Sequence, residues 1–387
     1  MQPFMFHNPT KIVFGPNMVN KVGKSTATYG SKALLVYGQN SIKRSGVYEQ
    51  VTSALRDAGV SWVEHAGVKS NPVLSHVNAG IDLAKSEQVD VVVAVGGGSV
   101  LDEAKAICAG AKTDGDVWDF FCDKAQIKQA LPLVTVLTLA ATGSEMNSGG
   151  VVTNEETQQK FNLGSPHLFP KVSILDPSLT YTVPLDYTAY SGVDAISHLI
   201  EGYFTSNDAA TPLQDRFVEG LIQTIIESTE QILDQPDHPD ARATMMWAAT
   251  WALNGLSIAG IGVYGFPNHM IEHSLSALYD VAHGAGLSIV IPGWMSYKAE
   301  QQPAKFAQFA ERVFGCDEGD ELQRAQAGIA RLKEWFDKIG SPVTLEAGGI
   351  PQGDIPAIAD NATMLAKKWG LNEYTDDVIA SILKRCC

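Results

Sequence analysis

Basic residues are scarce in this chain: 28 Lys and Arg stand against 43 Asp and Glu, a formal net charge of −15. Nucleic acid and anionic membranes both select basic surfaces, so neither is expected as a partner. The pair Lys43-Arg44 is too small to build such a surface. Cysteine is also thin. Cys108, Cys122, Cys316, Cys386 and Cys387 include no C-x-x-C pair, which argues against a disulfide framework or a thiolate zinc site and for a reducing cytoplasm. The opening Met1-Gln2-Pro3-Phe4-Met5-Phe6-His7 has no basic segment followed by an apolar one, so no signal peptide is expected. From Ala243 to Ile271 there is no Asp, Glu, Lys or Arg, a stretch long enough to cross a bilayer. Asn254, Gly255, Gly260, Gly262, Gly265 and Pro267 interrupt it and His269 lies inside, so a buried helix plus loop is expected instead. The phosphate-binding run G-x-x-x-x-G-K-[ST] is missing as well, and the turn Gly96-Gly97-Gly98-Ser99 is not the G-x-G-x-x-G fingerprint.

What is present is a globular composition, 45% hydrophobic and 18% charged over 387 residues, enough for two domains. The first half alternates strands and helices. Ala33–Tyr37, Asp90–Val95, Leu133–Leu137 and Val172–Leu175 read as buried strands, and Val47–Ala58, Val73–Ser86 and Val100–Gly110 as helices. Such alternation predicts a parallel sheet with helices on both faces. After about Pro184 the pattern is helical throughout: Asp186–Phe204, Leu213–Leu233, Ala241–Leu253, Asn268–Leu278, Ala304–Phe314, Glu321–Ile339 and Asp376–Lys384. The expected fold is α/β plus all-α: a Rossmann-like nucleotide domain over 1–186, then an all-helical metal-binding and substrate domain over 187–387.

Chemistry concentrates in a few segments. Gly96-Gly97-Gly98-Ser99 lies where a buried strand turns into a helix, a place where backbone N–H groups and the helix dipole can hold a phosphate. A tight turn is the alternative. Thr138-Leu139-Ala140-Ala141-Thr142-Gly143-Ser144-Glu145 follows the next strand; it suits a nucleotide crevice or an ordinary helix cap equally well. Asp194 and His198 are four apart on one helix, His269 and His273 repeat the spacing, and His283 follows a short break. Two such pairs on apolar helices point to a metal site. His7, His65, His76, His167 and His238 lack such partners and read as structural.

In this order the motifs resemble the iron-containing (group III) alcohol dehydrogenase family, nearly end to end. The carrying segments are Phe6–Gly15, Gly96–Ser99 with Asp102 and Lys105, Thr142–Glu145, Asp194 with His198, and His269 to His283. Within the family the chain is most similar to bacterial NADPH-dependent aldehyde reductases and butanol dehydrogenases. The resemblance implies that Asp194, His198, His269 and His283 ligate one divalent metal, Fe²⁺ or Zn²⁺. It makes His273 a proton relay and places Asp102 near the nicotinamide. It implies cofactor contacts at Asn71, Gly97, Gly98, Ser99, Thr138, Thr142, Asn147, Lys160 and Leu179. A homodimer is also implied. Leu139-Ala140-Ala141 departs from the Thr-Ala-Gly of many relatives.

The cofactor expected is NADP(H). NAD-dependent relatives carry an Asp at the end of the first strand; here Gly38 stands there, followed by Asn40, Ser41, Lys43 and Arg44, which offer donors to a 2′-phosphate. The expected reaction is hydride exchange between NADP(H) and a small aldehyde or primary alcohol. Two rivals remain: a dehydroquinate-synthase-like, metal- and NAD-dependent cyclase or lyase, and a non-enzymatic nucleotide and metal sensor. The cyclase needs Lys or Arg near the metal for an anionic substrate. Trp247, Trp251, Leu253, Ile258, Tyr264 and Phe266 instead suggest an apolar lining.

Overall fold

The computed structural model describes residues 1–208 and 210–387. It divides into two compact units, one of His7–Val183 with Gln235–Asn254, the other of Met1–Phe6, Pro184–Asp234 and Gly255–Cys387. This grouping differs from a single cut at 186/187 in three pieces, the first six residues, Pro184–Asp186 and the segment Gln235–Asn254. Local chemistry accounts for the last. The Thr250 hydroxyl donates to the buried carboxylate of Glu145, and Trp247 lies 6.0 Å from Phe14, so this helical segment is tied to the α/β unit.

Among the described residues eight strands form, β1 (Lys11–Phe14), β2 (Lys32–Tyr37), β3 (Ser61–Ala66), β4 (Val91–Gly96), β5 (Leu133–Leu137), β6 (Gly149–Asn154), β7 (Gln159–Gly164) and β8 (Val172–Leu175). Six of them make one sheet in the order β1-β8-β5-β4-β2-β3, parallel at every pairing. β6 and β7 pair antiparallel as a separate hairpin. The middle strands are continuous apolar runs because both faces are covered, as parallel sheets require. Polar Thr135 and Ser173 are tolerated there because each finds a partner: Thr135 Oγ1 donates to Ser173 Oγ, which donates to the carbonyl of Glu145.

The helices of this unit are α1 (Val22–Ala27), α2 (Ser41–Arg44), α3 (Val47–Asp57), α4 (Leu74–Ser86), α5 (Gly98–Gly110) and α6 (Trp118–Phe121). Val19, Val22, Val51 and Leu55 pack with Leu35, Val93 and Val136 into one core on a face of the sheet. Burying each such side chain stabilises by about 1.5–3 kcal/mol. The chain runs from β2 outward to β3, then returns to β4 on the other side of β2. The switch point thus lies between β2 and β4, and the crevice beyond their carboxyl ends is where open α/β sheets bind ligands.

Among the described residues nine further helices follow: α7 (Leu185–Thr205), α8 (Pro212–Asp234), α9 (Pro239–Ala252, which belongs to the α/β unit), α10 (Pro267–Tyr279), α11 (His283–Ala299), α12 (Pro303–Phe314), α13 (Glu321–Lys338), α14 (Ile355–Lys368) and α15 (Asp376–Lys384). Among the described residues no strand occurs after β8, and no helix is long and apolar enough to cross a membrane. α11 and α14 have no counterpart in the periodicity reading. α11 is buried on nearly all sides, and Gly284, Gly286, Pro292 and Gly293 interrupt its pattern, so no apolar stripe marks it.

Candidate metal and nucleotide sites

Three helices bring the histidines of the second unit together. Asp194 and His198 sit one turn apart on α7, His269 and His273 one turn apart on α10, and His283 opens α11. Gly284 sets the closeness of the approach: a Cβ there would stand 2.2 Å from the Tyr190 carbonyl oxygen of α7. Only glycine lets the first turn of α11 reach α7 and put His283 Nε2 3.7 Å from Asp194 Oδ1. His198 Nε2 is 3.6 Å from the same oxygen. The His198 and His269 rings stack at 4.8 Å, and His283 lies 5.2 Å from His269.

Two glutamates absent from the sequence reading orient this set. Glu201 Oε1 accepts from His269 Nδ1 at 3.1 Å and from its backbone N–H at 3.0 Å, and Oε2 accepts from Asn268 Nδ2. Glu272 accepts from His283 Nδ1 and from the Ser276 hydroxyl. Both carboxylates are fully buried. Carboxylates behind imidazoles fix which nitrogen is free, and here the free atoms are the Nε2 atoms of His269 and His283. His269 Nε2 is buried with no hydrogen-bond partner among the described residues. Burial, then the nearness of His269 and His283, pushes the His198 imidazole well below its ordinary value and keeps it neutral, as a metal ligand must be.

One carboxylate and three imidazoles, one of them with an orphaned nitrogen, fit a divalent cation with nitrogen and oxygen preferences. A cation would also balance buried carboxylates whose ion-pair partners here are imidazoles. His273 is buried one turn from His269, its ring 5.7 Å from His283 and 5.6 Å from Trp369. Phe266 stands edge-on to His269 at 5.3 Å. The apolar lining expected from the sequence is split: Trp247, Trp251 and Leu253 lie in the α/β unit, Ile258, Tyr264 and Phe266 in the helical one.

In the α/β unit the residues expected to contact a nucleotide fall on several elements, among them the β2 and β4 ends, the turn after β5, the β6–β7 hairpin and the turn after β8. Gly97 caps α5 and Gly98 begins it. A Cβ on Gly98 would meet the Thr142 side chain at 2.4 Å, so glycine is what lets the second polar turn close against the helix start. Thr138 N–H donates to the Gly96 carbonyl, and the Ser99 hydroxyl donates to that of Ser70. Lys160 Nζ donates to Asn71 Oδ1 at 3.1 Å, which joins two residues 89 apart in sequence. Leu179 follows β8 and packs on the sheet core. Gly38 directly follows β2, and Asn40 and Ser41 are exposed at the start of α2.

Asp102 and Lys105 form a buried brace beneath this cradle. Asp102 Oδ1 accepts from the Ser144 hydroxyl at 2.6 Å and Oδ2 from Val151 N–H at 3.0 Å. Lys105 Nζ donates to Ser144 Oγ, Asn147 Oδ1 and the Gly149 carbonyl, which uses all three protons. Burial pushes the Asp102 carboxyl up and the Lys105 ammonium down to about 8, each against the other's attraction.

The basic pair at α2 is not two equal groups. Lys43 Nζ lies over the rings of Tyr37 and Tyr48 and 3.7 Å from Glu64 Oε2, while Glu64 also accepts from both tyrosine hydroxyls. Arg44 is exposed. The sequence reading did not count Glu64, because β3 has no strand pattern of its own.

Comparison with known proteins agrees with this geometry. Residues 9–177 match the family described as iron-containing alcohol dehydrogenase, and residues 188–387 match the C-terminal part of the Fe-containing alcohol dehydrogenase family. A probable NADH-dependent butanol dehydrogenase of Bacillus subtilis is 44% identical over 387 residues, covering 99% of each chain. An NADPH-dependent aldehyde reductase of Escherichia coli is 38% identical over 361 residues, covering 92% of each chain. The crystal structure of an NADH-dependent butanol dehydrogenase from Thermotoga maritima superposes with a TM-score of 0.95 at 46% identity, covering 100% of this chain and 99% of that one. The chain belongs to the iron-containing alcohol dehydrogenase family, whose activity is that of metal-dependent alcohol dehydrogenases and aldehyde reductases.

Proposed function

We propose that the chain exchanges hydride between NADP(H) and a small uncharged aldehyde or primary alcohol, with one Fe²⁺ or Zn²⁺ held by Asp194, His198, His269 and His283. The observation that carries this reading is the buried, partnerless Nε2 of His269 beside Asp194, His198 and His283. When bound, the ion supplies Lewis-acid polarisation of the substrate oxygen, and the nicotinamide supplies or takes the hydride. Gly97, Gly98 and Ser99 would hold the pyrophosphate at the α5 N-terminus. Asn71, Thr138, Thr142, Asn147, Lys160 and Leu179 would line the rest of the nucleotide path. Asp102 would act near the nicotinamide as a positioning residue, since both its oxygens accept from the cradle's own donors. Phe266 and Trp369 exclude water. Their rings border the histidines where a cyclase acting on an anion would need cations. A cytoplasmic homodimer is the setting the family resemblance supports.

His273 would pass the proton at its imidazole nitrogen between the substrate oxygen and solvent. His273→Ala is expected to keep its metal and lose about 10²-fold in kcat, with the acid limb of the pH–rate profile altered. Elemental analysis together with that profile checks the assignment; loss of metal would make His273 a ligand.

The relatives' names divide over the cofactor, so the choice of NADP(H) rests on Gly38. No carboxylate stands at that position, Asn40 and Ser41 offer donors, and of the two exposed cations Lys43 is paired with Glu64, which makes Arg44 the candidate partner. A charge-assisted contact to a 2′-phosphate contributes about 1.5–3 kcal/mol, a preference of roughly tenfold or more. Gly38→Asp is sterically clean, since a Cβ there makes only ordinary contacts with the Val68 carbonyl and Val100. We expect kcat/KM with butanal to favour NADPH in the wild type and NADH in this variant. Equal or better use of NADH by the wild type would remove the assignment.

A further inference from the structure

A second group of metal-binding side chains lies in the α/β unit, assembled from three elements. His65 is on β3, His76 in the first turn of α4, and Glu103 on α5 next to Asp102. Sequence reasoning left both histidines as structural, since they stand 11 apart with no helical spacing between them. In the fold their rings are 4.1 Å apart. Glu103 Oε1 lies 3.0 Å from His65 Nε2 and 2.6 Å from His76 Nδ1. One potential ligand atom from each of the three lies within 4.8 Å of the others.

We propose that His65 Nε2, His76 Nδ1 and Glu103 form a second transition-metal site, of zinc-like preference, separate from the histidine cluster of the helical unit. Three observations support it. Glu103 is fully buried, and its Oε2 has no hydrogen-bond partner among the described residues. A buried carboxylate oxygen without a partner is costly, and a cation satisfies it. Next, His76 Nε2 lies 3.2 Å from the Ala66 carbonyl. Nδ1 thus faces a carboxylate and Nε2 a backbone carbonyl. A metal on Nδ1 would leave Nε2–H donating to the backbone, the support commonly found behind metal-ligating histidines. Finally, room is kept for His65: a Cβ on Gly80, one turn after His76, would stand 2.9 Å from His65 Nε2.

Two imidazoles and a carboxylate without thiolate suit Zn²⁺, Co²⁺ or Ni²⁺ and leave a coordination position open. The His76 side chain is 26% exposed, which gives the ion a route in, while His65 is 8% exposed and Glu103 is closed. The ion would tie β3, α4 and α5 together. α5 starts at the glycine cradle, and Asn71 immediately precedes α4, so the site acts as a clamp on the nucleotide-binding edge and not as a catalytic centre.

The test is equilibrium dialysis of the holoenzyme against zinc chloride, followed by elemental analysis and thermal melting. Wild type should retain about two zinc ions per chain, and His76→Ala and the near-isosteric Glu103→Gln about one each. Both variants should keep butanal reductase activity and lose the part of the zinc-dependent rise in Tm due to this site. His198→Ala serves as the control: it should also bind about one ion while keeping the rise in Tm that His76→Ala loses. This separates failure of the second site from failure of the first. If wild type, His76→Ala and Glu103→Gln, all folded by circular dichroism, retain the same number of zinc ions, the three side chains are only a hydrogen-bonded brace and the site does not exist.

Discussion

His198→Ala and His269→Ala are each expected to leave a folded protein that has lost the metal of the Asp194, His198, His269 and His283 site and at least about 10³-fold of kcat/KM. The fold should persist because α7 and α10 are held by apolar neighbours such as Val193, Ile196, Met270, Ile271 and Leu275, all fully buried. The activity should not persist, because removing one of four ligands leaves Asp194, Glu201 and Glu272 buried beside too little positive charge. Elemental analysis and circular dichroism on the same preparation separate the two consequences. A variant that keeps stoichiometric metal and near-normal turnover is incompatible with the ligand set.

A different signature is expected from the carboxylates behind the ligands. Glu201→Gln exchanges one acceptor oxygen for an NH₂ group that cannot accept from His269 Nδ1, the His269 backbone and Asn268 Nδ2 together. Glu272→Gln does the same to the support of His283 Nδ1. Each should weaken metal affinity by about 10–100-fold. Because the ligands themselves remain, kcat at saturating metal should fall far less than in the histidine variants. Titration of apoprotein with Zn²⁺, read by recovered activity, gives both quantities. Unchanged affinity in both variants would mean that the imidazoles are oriented by packing alone.

What was legible in the sequence follows from burial. β2, β4 and β5 are covered on both faces, so they stand out as apolar runs such as Val91-Val92-Val93-Ala94-Val95. β3, Ser61-Trp62-Val63-Glu64-His65-Ala66, is an edge strand with an exposed–polar pattern, and β1 has only four residues, so neither carries a signal. The i,i+4 pairs on α7 and α10 announced a metal site because a helix brings those positions onto one face. Glu201 and Glu272 were missed because a glutamate in a helix ordinarily points to water. Each lies three residues after a histidine, His198 and His269, and that spacing on a helix with few charges was the available signal. The cluster of His65, His76 and Glu103 had none: its members come from a strand and two helices, and only the crossover from β3 through α4 and β4 to α5 brings them together.

The measurement closest to the central claim is reduction of butanal by NADPH, followed at the nicotinamide absorbance, before and after removal of metal by a chelator and again after Fe²⁺ or Zn²⁺ is restored. A metal-dependent reductase built on Asp194, His198, His269 and His283 predicts loss of turnover on chelation and its return with the ion, in the wild type but not in His269→Ala. Undiminished oxidation of NADPH by butanal in metal-free protein would contradict it.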